Sequence, residues 1–200
     1  MAYLLDQLRA SGVRYVVLCT GYLDEQVQAT FGDAYGSLRV GYSKESSQLG
    51  TAGALRLALP LLKSDTVLVM NGDSFCEVDL RSFWAWHQRC GAEATLLLTH
   101  VPDTNRYGRV HVDADGAIVS FDEKSGANSP GWINAGIYLL TRALISTIPA
   151  NGPVSLERDM FPLWISRRLY GYRSKGRFLD IGTPDAYAMA EQFFALDMLR

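Results

Sequence analysis

Apolar residues recur along this chain first at helical spacing, then in short continuous runs, and the two rhythms alternate. Residues 2–10 (AYLLDQLRA) set Tyr3, Leu4, Leu5 and Leu8 on one helical stripe that stops at Ser11-Gly12. A strand is expected over 15–19. A helix in LDEQVQATFG follows, with acidic residues in its first turn, where they suit the dipole. A strand over 38–42 leads to a polar loop at 43–50 and a helix over 52–59 capped by Thr51. Residues 66–70 (TVLVM) are nearly all apolar and stop at Asn71-Gly72-Asp73, the signature of a buried strand in a parallel sheet. A helix capped by Asp79 (LRSFWAWHQRC) and a strand over 94–100 come next. This alternation predicts an α/β, Rossmann-like domain whose mostly parallel central sheet carries helices on both faces.

Beyond residue 100 the rhythm changes. Runs at 107–112 and 117–122 flank Asp113-Ala114-Asp115-Gly116, a hairpin signal that predicts a small antiparallel β extension. A strand over 133–140 and a helix over 155–166, bent or divided at Pro162, follow. A short strand at 169–172 comes next, and Thr183-Pro184-Asp185 opens the last helix. No internal repeat or linker divides the chain, so residues 1–200 are expected to form one domain. The chain meets its first helix before any strand, although a doubly wound sheet would place a central strand and its ligand-binding loop ahead of it.

Composition narrows the function classes. A net charge of -2 without a basic stripe gives no electrostatic case for nucleic acid. Cys19, Cys76 and Cys90 are widely spaced, which fits a reducing compartment. No apolar run reaches the length of a membrane span, and a cytoplasmic setting is expected. His87, His100 and His111 have no metal-ligand spacing, and no serine stands in a nucleophile elbow. Phe193, Phe194, Leu196 and Leu199 make the C-terminal helix the candidate for an oligomer interface.

Four loops carry candidate chemistry. Leu49-Gly50-Thr51-Ala52-Gly53-Ala54 sets small residues at a loop-to-helix junction, where a flat ring can approach the backbone and free amides can donate. The alternative is close helix-sheet packing that needs Gly53. Asp73 and Asp180 each end a strand-like run beside a glycine; two such carboxylates form a hard oxygen site suited to magnesium and substrate phosphates, or else merely close turns. In Asp122-Glu123-Lys124, Lys124 can meet a phosphate and Glu123 the hydroxyls of a polyol, unless the pair is ordinary solvated charge.

Six motifs run in order along the chain: LGTAGAL at 49–55, VMNGDSF at 69–75, YGRV at 107–110, FDEK at 121–124, NAGIYLL at 134–140 and LDIGTPDAY at 179–187. Together they resemble the sugar-1-phosphate nucleotidyltransferases, and within them the D-glycero-α-D-manno-heptose 1-phosphate guanylyltransferases. The resemblance implies condensation of a nucleoside triphosphate, GTP by the subgroup, with a heptose or hexose 1-phosphate. The products are a nucleotide-sugar and pyrophosphate. It implies Mg2+ at Asp73 and Asp180, with Lys124 as a third catalytic group. Leu49, Gly50, Thr51, Ala52, Gly53, Asn71 and Gly72 would hold the nucleotide. Gly108, Glu123, Lys124 and Asn134 would hold the sugar phosphate, above a floor kept clear by Gly136. Members of that family open with a strand, a Gly-x-Gly-Thr-Arg-Leu loop and a downstream Pro-Lys, none of which occurs here. The expectation is therefore a shortened form with impaired turnover. A metal-dependent glycosyltransferase and a non-catalytic nucleotide-sugar-binding subunit are the alternatives.

Overall fold

The computed structural model describes residues 1–122 and 129–195. Helix α1 (Ala2–Ala10) precedes β1 (Tyr15–Thr20), α2 (Asp24–Phe31), β2 (Ala34–Tyr35), β3 (Leu38–Lys44) and α3 (Gly50–Ala58). Then come β4 (Thr66–Met70), β5 (Ser74–Cys76), α4 (Leu80–Cys90) and β6 (Ala94–Val101). The second half adds β7 (Val110–Val112), β8 (Ile118–Phe121), β9 (Gly131–Thr141) and α5 (Arg142–Ser146). After a π-helical turn, Leu156–Met160, follow α6 (Phe161–Trp164), β10 (Leu169–Ser174), β11 (Phe178–Asp180), α7 (Pro184–Ala188) and α8 (Ala190–Ala195).

The expected layers are present. Strand β6 alternates across the sheet: Leu96 and Leu98 join α3, α5 and α6 in one core, while Leu97 joins α1 and α4 in the other. All six residues from Ala94 to Thr99 are buried, as a strand covered on both faces requires. Asp79 caps α4 by accepting from the Arg81 amide at 3.0 Å, and Thr183 Oγ1 accepts from the Ala186 amide at the start of α7. The Asp113 carboxylate accepts from Asp115 and Ala117 to close the β7–β8 hairpin, with Gly116 at φ +86.

The sheet itself is mixed. Strands β1 and β3 run parallel, as do β10 and β6, but β9 lies antiparallel between β6 and β4. Strand β4 is therefore not central: it is the outer strand of the order β10-β6-β9-β4, and β1 is the outer strand of β1-β3-β2. Every residue of β4 is only half-buried, although its sequence is that of an interior strand. The cause is an open cleft of about 700 Å³ between β1 and β4, roofed and floored by Leu4, Leu5 and Leu8 of α1 and by Leu55 and Ala58 of α3.

One local expectation needs correction. Helix α3 begins at Gly50 with Leu49 at its cap position, and Thr51 caps nothing because its hydroxyl is committed elsewhere. The helix expected over 155–166 divides, with Pro162 in the first turn of α6 and the π-helical turn before it capped by Ser155. Phe193 and Phe194 of α8 turn inward: Phe194 stacks on Tyr3 with ring centroids 3.5 Å apart, and both pack edge-on to Phe75. Both remain half-buried, and Leu196 and Leu199 lie outside the described residues.

Candidate active site

The two halves of the chain meet where β5 and β11 pair. Their antiparallel register sets Asp180 opposite Ser74, and the Ile181 amide donates to the Asp73 carbonyl at 2.9 Å. A turn after β4 and a strand more than a hundred residues later are thereby brought side by side at one rim. Behind β11, Arg177 donates to the Glu77 carboxylate at 2.6 Å and its guanidinium lies 4.5 Å over the Phe193 ring, which ties this short ladder to α8.

Asp180 is well organised. One carboxylate oxygen accepts from the Gly182 amide at 2.8 Å and the other lies 3.7 Å from the Arg106 guanidinium. Burial, and then the charge of Asp180, push the neighbouring Tyr107 phenol above its ordinary value. Asp73 is exposed, and the Ser74 hydroxyl lies 3.4 Å from its carboxylate. Carboxylate oxygens of this kind suit a hard divalent cation that takes its remaining ligands from water and phosphate. Among the described residues no three His, Cys, Asp or Glu side chains gather in one place, so such an ion would lean on these two carboxylates and on the substrate.

The start of α3 is sewn to the loop before the π-helical turn. The Ala52 and Gly53 amides both donate to the Val154 carbonyl, at 2.9 and 3.2 Å, and the Val154 amide donates back to the Leu49 carbonyl at 2.7 Å. The expectation of free amides at this helix start is therefore wrong for Ala52 and Gly53, which are already satisfied. Gly50 has φ +72, and a Cβ there would meet the Val154 carbonyl oxygen at 2.5 Å. Gly53 is likewise required by close packing, but against Leu49 and this loop rather than against the sheet.

Beneath the rim lies a polar network that sequence reasoning missed. Glu157 accepts from the Thr51 hydroxyl at 2.8 Å, the Ser155 hydroxyl at 2.9 Å and the Tyr138 hydroxyl at 3.1 Å. The Thr51 hydroxyl in turn accepts from the Leu156 amide, and Asn134 donates to the Tyr138 oxygen at 2.9 Å. Tyr138 is fully buried; that burial, then Glu157, holds its phenol neutral far above the ordinary range. The network joins α3, β9 and the turn at Leu156–Met160. Its only sequence signal was an acidic residue in a serine-capped turn, SLERDM, which also describes an ordinary helix start.

Strand β9 bulges at this point: Leu96 faces Tyr138 but Leu98 faces Asn134. Gly136 sits in the bulge at φ +75, and a Cβ there would strike the Asn71 side chain at 3.1 Å. Asn134 Oδ1 accepts from the Gly136 amide, and the Asn71 amide donates to the Gly136 carbonyl at 2.8 Å. Asn71, Asn134 and Gly136 are thus one hydrogen-bonded assembly. Gly108 lies where a Cβ would come within 2.7 Å of the Asp122 carbonyl, at the strand leading toward Glu123 and Lys124. Glu123 and Lys124 themselves fall outside the described residues. Cys76 is buried, and burial pushes its thiol up to about 11, which leaves no nucleophile there.

A three-layer α/β body with a mixed sheet, and a rim at which two aspartate-bearing segments converge, define a Rossmann-like nucleotide-sugar transferase fold. The chain belongs to the nucleotidyl transferase family, whose model matches residues 1–196, and within it to the sugar-1-phosphate nucleotidyltransferases. It is 34% identical over 191 residues to the D-glycero-alpha-D-manno-heptose 1-phosphate guanylyltransferase of Aneurinibacillus thermoaerophilus, covering 95% of this chain and 82% of the relative. A mannose-1-phosphate guanylyltransferase of Mycobacterium tuberculosis is also 34% identical over 191 residues, but the match covers 94% of this chain and only 53% of that protein. The chain thus spans about half the length of that mannose relative. In three dimensions it superposes on HddC from Yersinia pseudotuberculosis with a TM-score of 0.84 at 29% identity, over 96% of this chain and 84% of the other. A further structure of that protein, complexed with GMP-PN, matches equally well. No helix among the described residues is long and apolar enough to cross a membrane.

Proposed function

We propose that this nucleotidyltransferase takes GTP as its triphosphate and a heptose 1-phosphate as its sugar. A phosphate oxygen of the sugar attacks the α-phosphorus, the bond to the bridging oxygen breaks, and pyrophosphate leaves with that electron pair. The observation that carries this reading is the β5–β11 ladder, which aligns the Asp73 turn with the Asp180 strand end. The GTP and heptose assignments rest on the likeness to the heptose guanylyltransferase and not on a contact in the site.

Asp73 and Asp180 would hold Mg2+, which when bound neutralises phosphate charge as one oxygen replaces another at phosphorus. Around it this chain's residues position and exclude. Leu49, Gly50, Thr51, Ala52 and Gly53 would face the nucleotide, with Asn71 and Gly72 at its phosphate side. Ala52 and Gly53 would act through their lack of bulk, since Val154 already takes their amides. Gly108, Glu123 and Asn134 would receive the sugar, Lys124 its phosphate, over Gly136. No protein nucleophile is needed; the barrier falls through alignment and charge compensation. A cytoplasmic setting would supply the triphosphate.

The sequence contains no Gly-x-Gly-Thr-Arg-Leu loop to balance the leaving pyrophosphate, so the 200-residue chain by itself is expected to turn over weakly. A pyrophosphate-release assay with a panel of triphosphates against heptose, mannose and glucose 1-phosphates tests both statements. Slow release favouring GTP and heptose 1-phosphate is expected. A rate equal to that of a full-length heptose guanylyltransferase overturns the weak-turnover statement, and a clear preference for another base or sugar overturns the substrate assignment.

A further inference from the structure

The hydroxyl protons around Glu157 all run one way. A carboxylate has no proton to give, so a hydroxyl bonded to it must be the donor. Tyr138 gives its only proton to one Glu157 oxygen, and Thr51 and Ser155 give theirs to the other. The Tyr138 oxygen is then left able only to accept, and it accepts from the Asn134 side chain at 2.9 Å and from that of Asn71. With its NH2 group committed in this way, Asn134 must turn its carbonyl toward the Gly136 amide, which it meets at 2.9 Å. The Thr51 oxygen likewise accepts, from the Leu156 amide at 2.8 Å. A side-chain amide fits its cavity in either of two orientations. Here a chain of donors that ends on an acceptor-only group leaves Asn134 one of them. Tyr138 is fully buried, so a bond left unmade in this chain has no water to replace it.

We propose that Glu157 is a positioning residue for both substrates: one of its oxygens holds Thr51 at the nucleotide end of the site, and the other, through Tyr138, sets the face that Asn134 presents to the sugar. The role rests on the proposed function, which puts Thr51 against the nucleotide and Asn134 against the sugar. The groups that Glu157 joins lie on separate elements, α3, β9 and the turn at Leu156–Met160. One side chain therefore fixes the spacing of two subsites, and in-line attack at phosphorus tolerates little error in that spacing. The same wiring reaches the turn that carries Asp73. Asn71, two residues before it, gives its side chain to Tyr138 and its backbone amide to the Gly136 carbonyl at 2.8 Å. An amide in place of the carboxylate could not do this work in full, because only one of its two ends accepts.

Calorimetry on the 200-residue chain reads each branch separately. Tyr138→Phe cuts the sugar branch alone. Binding of heptose 1-phosphate, measured with a non-hydrolysable GTP analogue at saturation, should weaken on the order of tenfold, while affinity for the analogue stays within about twofold. Glu157→Ala cuts both branches and should weaken both ligands several-fold. In the Glu157→Ala background, Tyr138→Phe should cost the sugar little more, since the chain it would break is already open. The wiring can also be read without ligand: in Tyr138→Phe the Asn134 side-chain amide resonances should shift and exchange faster with water. Equal losses of nucleotide and sugar affinity in Tyr138→Phe, an unchanged sugar affinity, fully additive losses in the double variant, or an unmoved Asn134 signal overturns the proposal. Those outcomes leave the proposed function standing. An unmodified chain that binds neither GTP nor a sugar 1-phosphate overturns that function and this role together.

Discussion

The Ile181 amide donates to the Asp73 carbonyl at 2.9 Å, one of the backbone bonds that join the first half of the chain to the second at the rim of the sheet. It closes the short ladder in which Asp180 opposes Ser74. The residues behind these two segments form a clamp that holds them in register. Arg177 pairs with Glu77 on the neighbouring segment and also donates to the Phe193 carbonyl. Replacing Arg177 with methionine should therefore loosen α8 and the rim together. Hydrogen exchange at Phe178–Asp180 should accelerate; unchanged exchange there would remove the clamp from the account.

Glu157 is expected to matter beyond its own charge. Replacing it with alanine leaves the Tyr138 hydroxyl buried without its acceptor and frees Thr51, at a cost of about 2 kcal/mol. Chemical denaturation measures that cost. Nucleotide affinity, followed by tryptophan fluorescence, should fall as well, because Thr51 sits at the start of α3. Glu157→Gln should be milder, since one carbonyl acceptor remains.

Gly50 should not tolerate a side chain. Its φ of +72 and the Val154 oxygen at 2.5 Å from an added Cβ both oppose alanine. The strain is about 2 kcal/mol, and it should appear as a lower denaturation midpoint. Gly32, also at positive φ (+57) but with open space around it, provides the contrast: alanine there should cost the backbone term alone.

Acid sensitivity should trace in part to His87. The ring is buried, its Nδ1 lies 2.8 Å from the Thr95 hydroxyl, and burial lowers its pKa below the ordinary 6.5. The unfolded chain binds the proton more readily, so stability is complete above 6.5 and declines as pH falls below that value toward the folded pKa. His87→Gln should flatten the stability profile across that window. A profile with unchanged slope would assign the acid sensitivity elsewhere.

The order of helices and strands was legible because each segment's apolar spacing agreed with its final state. Strands β1, β3, β4, β6 and β9 lay close to where their apolar runs placed them, and the Asp79, Thr183 and Asp113 side chains made the local bonds their types favour. Pairing partners were not legible. Nothing local in TVLVM distinguishes a central strand from one at the edge of a cleft, since the apolar run is what either would carry. The two-residue strand Ala34–Tyr35 and the short β5 and β11 are held by neighbours rather than by their own periodicity. The same limit applied in the site. Asp73 and Asp180 stood out beside turn residues and Asn134 and Gly136 through the family resemblance, whereas Tyr138 and Glu157 became meaningful only when β9 and the Leu156–Met160 turn were folded against α3. The Val154 carbonyl that occupies the Ala52 and Gly53 amides had no sequence signal at all, because a backbone acceptor carries none.

The most direct test of the account is whether Asp73 and Asp180 serve one ion. Mn2+ binding in the presence of GTP can be followed by the loss of the free-ion paramagnetic resonance signal. Asp73→Asn and Asp180→Asn should each weaken binding on the order of tenfold to a hundredfold, and the double variant little further. Retention of full affinity by either single variant, or losses in the double variant that simply multiply, would contradict a shared site.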